Sequence, residues 1–246
     1  MKKLYDKSEL LFSLTWIAIY CVLQSLAFSL NDTVGIKFSF SALFAATQTI
    51  ILYLFLRRHG LFQRYGIRSP QLSAKRFVFY IPLLILISDG LWNGIGLRYT
   101  AVETGFYICL MACVGFLEEL IFRGFLFRAM AEESLRQAIV VSSVTFGIGH
   151  IVNSVNGSGQ SLTVTLLQIV FAIAVGFLFV TIVYRGGSLW PCIITHQLFN
   201  ISEGFTVEAD LTIGKNVLYV LTQMTVIIVY ILILNRTLPK GLLMQS

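Results

Sequence analysis

The chain has 246 residues, of which 57% are hydrophobic and only 12% are charged. Soluble globular domains contain about 25% charged residues, so this composition excludes an ordinary soluble protein and indicates an integral membrane protein. The formal net charge is +6, which suits either nucleic acid or a membrane surface as a partner. The positions of the basic residues decide between these two partners.

Eight apolar runs follow one another along the chain, and most approach the 20 or so residues that a helix needs to cross hydrocarbon. They cover residues 10–30, 38–56, 77–97, 104–131, 137–152, 162–184, 188–203 and 215–235, and the fifth and seventh are short. An uncharged Asn, Gly and Ser turn over 153–161 follows the fifth run. Because the runs are continuous rather than alternating, a membrane β-barrel is disfavoured. We predict an all-α polytopic membrane protein with about eight transmembrane helices, forming a single transmembrane domain over residues 1–246.

Lysine and arginine are divided unequally between the two sets of loops. With eight spans and both termini cytoplasmic, fourteen basic residues fall in inner segments and only Lys37, Arg98 and Lys215 fall in outer segments. This is the positive-inside pattern. We therefore predict a multi-pass protein of the cell membrane with both termini in the cytoplasm, in contact with the lipid bilayer. Nucleic acid is not predicted as a partner.

The fourth run contains three charged residues, Glu118, Glu119 and Arg123. A charged side chain at the centre of a membrane helix costs about 2.5–3.5 kcal/mol, whereas each Leu, Ile, Phe or Val returns only about 0.3–0.6 kcal/mol. Such a helix is credible only if the charges face one another, water or polar groups on neighbouring helices. Because intramembrane ionisable residues usually line functional interiors, this segment is the first candidate site.

Two histidines lie in other apolar runs, His150 in the fifth and His196 in the seventh. His196 and Asn200 are four residues apart, so they share one face of a helix. Glu118 and His150 each lie sixteen residues from Ser134, in the hairpin turn predicted between the fourth and fifth runs. Antiparallel helices of equal rise would place them at the same depth.

The third run carries Asp89 and Asn93, whose spacing predicts a shared helix face. These two residues either line the same polar interior or act as a packing device in which Asp89 pairs with an amide or backbone group. The sequence does not favour one of these interpretations over the other.

These residue types suit hydrolysis by an activated water. A Glu paired with a His can deprotonate water, two His and one Glu can bind a catalytic zinc with an open position, and a His or Asn can donate to an oxyanion. No Ser-His-Asp order or Cys-His pairing is evident, which disfavours a serine or cysteine nucleophile. Each His alone is also typical of helix packing, and Glu119 with Arg123 is favoured as a structural ion pair over a direct catalytic role.

Three motifs occur in order in a core of about residues 75–205: Glu118-Glu119-x-x-x-Arg123, Phe146-x-x-x-His150 and His196-x-x-x-Asn200. As a set they resemble the CAAX-protease and bacteriocin-processing (CPBP, or Abi) family of intramembrane proteases, which includes the type II CAAX prenyl endopeptidase. The resemblance implies an intramembrane protease whose substrate is a membrane-associated peptide or protein.

By motif position, the resemblance implies that Glu118 is the general base that activates water, with His150 as its partner. Glu119 and Arg123 would support the fourth helix. His196 and Asn200 would stabilise the oxyanion or complete the water site.

The cofactor is left open by the resemblance, because members are commonly called metalloproteases while a metal-free glutamate and histidine mechanism has also been argued for them. A zinc site would use Glu118, His150 and His196 as ligands. The chain lacks the His-Glu-x-x-His helix of soluble zinc proteases.

Two other functions are compatible with a polar membrane interior. One is a non-catalytic bacteriocin immunity or regulatory protein that keeps its polar core only for folding. The other is a small-solute transporter, since mid-membrane polar sites also bind solutes. The absence of an evident inverted repeat and the single localised Glu and His cluster disfavour the transporter.

Overall fold

The architecture is seen in a computed structural model that describes residues 1–154, 160–207 and 213–245. In those ranges the α-helices are α1 (Lys2–Lys7), α2 (Glu9–Val34), α3 (Ser39–His59), α4 (Ile81–Ile87), α5 (Ala101–Glu118), α6 (Phe127–Ala131), α7 (Leu135–Gly149), α8 (Leu162–Gly186), α9 (Trp190–Glu203) and α10 (Ile213–Thr237). A π-helical turn, Glu119–Leu126, joins α5 to α6. Short 3₁₀ helices cover Ala74–Tyr80, Asp89–Leu91, His150–Ser154 and Leu242–Gln245. The turn predicted over 153–161 lies largely outside the described residues.

Within the described ranges, six helical segments are long and apolar enough to cross a membrane. They are Glu9–Val34, Ser39–His59, Ala101–Ala131, Leu135–Asn153, Leu162–Gly186 and Gly214–Thr237. The predicted all-α polytopic membrane fold is confirmed, whereas a count of eight full-length spans is not. The third and seventh apolar runs fold into α4 and α9, which have only 7 and 14 residues.

The third run is interrupted on both sides of α4. Before α4, the non-glycine residues 78–80 adopt the left-handed backbone region, with φ between 50° and 58°, and Pro82 occupies the first turn. After α4, the chain turns at Gly94, which has a φ of 104° that glycine tolerates best. The prediction that Asp89 and Asn93 share a helix face is wrong, because α4 ends at Ile87 and only a single 3₁₀ turn follows.

The segment after α4 pairs with the segment after α9. Gly96 N donates to Phe205 O at 2.8 Å, Val207 N donates to Gly94 O at 3.2 Å, and Ile95 forms an antiparallel bridge with Thr206. This pairing brings the 3₁₀ turn that contains Asp89 next to the C-terminal end of α9.

Glycines let the central helices approach closely, as is common in membranes. A Cβ on Gly147 of α7 would lie 2.8 Å from Ile173 N, and a Cβ on Gly176 of α8 would lie 2.9 Å from Ser143 Cα. Similarly, a Cβ on Gly115 of α5 would lie 2.9 Å from Gln197 N of α9. The backbones of α7 and α8, and of α5 and α9, therefore meet without intervening side chains.

Arginines hold the chain together at one end of the bundle. Arg64 pairs with Glu9 at 2.7 Å and with Glu132 at 2.9 Å. Other guanidinium groups donate to backbone carbonyls: Arg68 to Gly187 and Leu242, Arg76 to Thr237, Arg128 to Leu243 and Arg185 to Leu238. Carbonyls at and beyond the C-terminal ends of α8 and α10, which lack intrahelical donors, are satisfied in this way.

The close contact at Gly147 is testable by substitution. Gly147→Ala should lower the free energy of unfolding by about 1–3 kcal/mol, because the added methyl group forces α7 and α8 apart. Thermal denaturation in detergent measures the change. Gly105→Ala is the matched control, since nothing lies within 4 Å of a Cβ at that helical position, and it should leave stability unchanged or slightly raised. Equal stability of the two variants would contradict the packing described for α7 and α8.

Candidate active site

Glu119 is fully buried and joins two helical elements through one oxygen atom. Its Oε1 accepts from Arg123 Nη1 at 3.0 Å and from His196 Nδ1 at 2.9 Å. Arg123 is also fully buried, and His196 is only 8% exposed. The predicted structural pairing of Glu119 with Arg123 is therefore present, and it extends to an imidazole on α9.

The guanidinium of Arg123 is surrounded by aromatic rings. Its Cζ lies 3.9 Å from the centre of the Phe146 ring and 5.5 Å from that of Phe179. Within the described part of the chain, its Nε and Nη2 have no hydrogen-bond partner. Cation–π contacts with these two rings therefore add stabilisation to the buried guanidinium.

The π-helical turn places this ion pair in the interior, and all eight of its residues are buried. Ser142 Oγ on α7 donates to the carbonyl of Phe122 at 2.8 Å, so the altered turn is also bonded to a neighbouring helix. Such π-helical turns inside α-helices often occur at functional sites. Glu119 and Arg123 thus belong to a local departure from α-helical geometry that the sequence motif alone does not reveal.

The contact with Glu119 fixes the orientation of His196. An ionised carboxylate can only accept a hydrogen bond, so Nδ1 of His196 carries a proton. Nε2 then faces Glu118, at 3.6 Å from its Oε2. A separation of this size, just beyond hydrogen-bond range, is compatible with an intervening or adjacent water.

Glu118 has a second partner that sequence reasoning missed. Tyr20 on α2 donates its hydroxyl to Glu118 Oε1 at 2.6 Å, while the Glu118 side chain remains 14% exposed. One oxygen of the carboxylate is thus oriented by a phenol and the other is left towards His196. The spacing of Tyr20 from Trp16 and Ala27, two buried residues of α2, is the sequence signal that places it on the inner face.

His150 ends α7, where the chain passes into a 3₁₀ turn. Its Nδ1 lies 3.1 Å from the carbonyl of Phe146, which can only accept, so Nδ1 carries the proton and Nε2 is the free ring nitrogen. Glu118 and His196 both lie close enough to His150 to interact with it electrostatically. Phe146 of the second motif therefore positions His150 and contacts Arg123.

The motif residues meet around a cavity of about 380 Å³, which we call the central cavity. Its walls include Tyr20, Glu118, His150, His196 and Asn200. The four residues predicted to be catalytic thus come together from α5, α7 and α9. Asn200 lies in the wall of this cavity. Its backbone carbonyl accepts a hydrogen bond from the hydroxyl of Tyr107 at 2.6 Å.

A second cavity of about 480 Å³, which we call the side chamber, shares His150, His196 and Asn200 with the central cavity. Asp89 and Asn93 both line it. Asp89 and Asn93 therefore border the polar interior, which is one of the two interpretations that the sequence left open. They do so from an irregular segment and not from one face of a helix.

Glu118, His150 and His196 are the residues that would ligate zinc in a metal-dependent mechanism. Among the residues that the structure describes, no three His, Cys, Asp or Glu side chains form a group that could hold a metal ion. The arrangement of Glu118, His150 and His196 is therefore not a preformed zinc site. Zinc ligation by these three residues stays a prediction.

The part of the chain that carries the site is similar to a known protein family. Residues 100–202 match the model of the type II CAAX prenyl endopeptidase Rce1-like family. The family resemblance is thereby confirmed. The matched range contains all three motifs and supports a CAAX-type intramembrane protease in general terms. Neither the curated proteins nor the solved structures include a match to this chain.

The ion pair at the centre of the site should be essential for stability. Arg123→Met should lower the free energy of unfolding by about 3–5 kcal/mol, because the buried Glu119 would lose its guanidinium counter-charge and keep only the hydrogen bond with His196. Denaturant or thermal unfolding in detergent measures this loss. Arg136→Met, at an exposed position of α7, is the control and should change stability by less than about 0.5 kcal/mol. The pairing would be contradicted if both variants unfolded at the same midpoint.

Proposed function

We propose that the protein is an intramembrane endopeptidase that hydrolyses a peptide bond in a membrane-associated peptide or protein, with water activated by Glu118 and His150. The observation that carries this proposal is the meeting of Glu118, His150, His196 and Asn200 at one central cavity. Three helices supply these side chains, and each alone would be costly in an apolar interior.

Glu118 is the general base in this mechanism. A water beside its Oε2 gives up a proton to the carboxylate, while Nε2 of His150 accepts a hydrogen bond from the same water. The oxygen of the water attacks the carbonyl carbon of the scissile amide, and a tetrahedral intermediate with a negatively charged oxygen forms. Glu118 then transfers its proton to the leaving nitrogen, so that one water and one amide give one carboxyl group and one amine.

His196 and Asn200 stabilise the oxyanion of that intermediate. Glu119 holds the imidazole of His196 through Nδ1 at 2.9 Å, and in the imidazolium form Nε2 is also a donor that can reach the oxyanion. The amide of Asn200 lies one helical turn away on the same face of α9. Preorganised hydrogen-bond donors of this kind strongly stabilise the transition state in a site from which water is excluded.

The substrate reaches the site from the bilayer or its surface. Large apolar side chains are exposed along the long helices, including Leu14, Val22 and Leu26 on α2 and Leu218, Leu221 and Leu232 on α10. Such a surface suits lipid acyl chains as neighbours. The basic loops support a location in the cell membrane with both termini on the cytoplasmic side.

Removal of the general base should abolish hydrolysis. Glu118→Gln keeps the size of the side chain and should lower kcat by about 10²–10⁴-fold. The assay follows cleavage of a panel of quenched fluorescent membrane peptides in proteoliposomes, with mass spectrometry to assign the cleaved bond.

Glu133→Gln, at an exposed position between α6 and α7, is the matched control and should cleave at the wild-type rate. Full activity of Glu118→Gln would contradict the proposal. Absence of cleavage by the wild type as well as by the variant would favour the non-catalytic immunity or regulatory role instead.

Tyr20 should act as a positioning residue for Glu118. Tyr20→Phe removes a hydrogen bond to a charged group, which is worth roughly 1.5–3 kcal/mol, so kcat should fall by about tenfold or more. KM should change much less, because Tyr20 contacts the base rather than the substrate. Tyr53→Phe, on the exposed face of α3, is the control. A kcat for Tyr20→Phe equal to that of the control would exclude this role.

A further inference from the structure

The side chamber holds polar groups that the hydrolytic mechanism does not use. Asp89 lies in the 3₁₀ turn after α4, Glu203 ends α9, and Gln223 lies on α10, and all three line the chamber. The pairing of the segments after α4 and α9 brings the two carboxylates together. A Cβ on Gly90, the residue after Asp89, would lie 2.8 Å from Glu203 Oε1.

Several polar atoms of the chamber lack a hydrogen-bond partner. Gln223 is 1% exposed, and among the described residues its Oε1 and Nε2, Asp89 Oδ1 and Thr206 Oγ1 have no hydrogen-bond partner of good geometry. The amide of Gln223 nevertheless lies close enough to the Asp89 carboxyl to interact with it. Each buried polar group left unpaired costs about 1–3 kcal/mol. Buried polar atoms of this kind in the wall of one cavity are typical of a site whose ligand supplies well-aligned partners.

The charges of the chamber specify the ligand. Two carboxylates face a cavity that also contains one guanidinium, from Arg98, which is exposed and donates to the carbonyl of Glu203 at 3.4 Å. Among the described residues of the wall, the acidic groups therefore outnumber the arginine. A buried pair of carboxylates is stabilised by a cation between them, and an ammonium or guanidinium group also donates the hydrogen bonds that Asp89 can accept.

The chamber also lies at the right place for a substrate subsite. It shares His150, His196 and Asn200 with the central cavity, so a chain that occupies both would pass directly beside the activated water. A volume of about 480 Å³ is within the usual range for binding pockets, which is about 300–1,000 Å³. The amide of Gln223, with one donor and one acceptor group, is suited to the main chain of a peptide.

We propose that the side chamber is a specificity subsite in which Asp89 and Glu203 bind a Lys or Arg side chain of the peptide substrate, at a fixed distance from the cleaved bond, while Gln223 binds the peptide main chain. This inference rests on the proposed endopeptidase function. It adds a substrate class, since it predicts which peptides the enzyme prefers.

The test compares quenched fluorescent peptides that differ at single positions in Lys, Arg, norleucine or Glu, reconstituted with the wild-type protein in proteoliposomes. We expect kcat/KM to be at least about tenfold higher for a basic residue at one particular position than for norleucine there. Asp89→Asn and Glu203→Gln should each reduce this ratio by about tenfold, whereas Glu133→Gln should leave it unchanged. Asp89→Lys should reverse the preference in favour of Glu.

A binding measurement separates this inference from the proposed function. The Lys and norleucine peptides are titrated onto the Glu118→Gln protein, with or without the added Asp89→Asn substitution. Preferential binding of the Lys peptide that depends on Asp89 supports the subsite even if no peptide is cleaved by the wild type, an outcome that would contradict only the proteolytic function. Equal binding of both peptides, or a preference that Asp89→Asn does not reduce, overturns the inference and identifies Asp89 and Glu203 as a structural carboxyl pair.

Discussion

The arrangement of the site depends on one oxygen atom, Glu119 Oε1, which accepts hydrogen bonds from Arg123 and His196. A buried carboxylate must be compensated by nearby positive charge and donors, and here the two donors come from different helical elements. The same contact that neutralises Glu119 therefore sets the position of α9 against the π-helical turn. It also directs Nε2 of His196 towards Glu118, so the stability of the interior and the geometry of the proposed chemistry have a common origin.

Much of this arrangement was predictable from the sequence, because charge in an apolar run is expensive. That constraint alone predicts that Glu118, Glu119 and Arg123 face inward, and the helical spacing of His196 and Asn200 predicts their common face. The hairpin turn near Ser134 is also as predicted, since Ser134 caps α7. These features follow from helical periodicity and from the energetic cost of burying a charge. Both can be evaluated from a single sequence.

Other features depend on contacts between distant segments, and the sequence does not record them. The contact of Tyr20 with Glu118 joins residues 98 positions apart, and only a weak inner-face pattern on α2 points to it. The π-helical turn is bonded to Ser142, which lies 20 positions away from its partner Phe122, and no motif in the sequence marks this contact. The third apolar run looks long enough to span a membrane, yet Pro82 and Gly94 interrupt it, so the segment that carries Asp89 lines a cavity as irregular backbone. Irregular backbone at membrane depth is tolerated where it borders such a space.

The arginines at one end of the bundle have two separate physical roles. While a chain is being inserted, any basic side chain biases orientation, and lysine serves as well as arginine. After folding, Arg68 donates through two nitrogens of its planar guanidinium to the carbonyls of Gly187 and Leu242, a geometry that an ammonium group does not reproduce. Lysine at this position would thus preserve the signal for membrane topology while leaving a helix end unsatisfied. A count of basic residues in the loops treats lysine and arginine alike. Such a count therefore reports the role in membrane insertion and not the role in satisfying the helix ends.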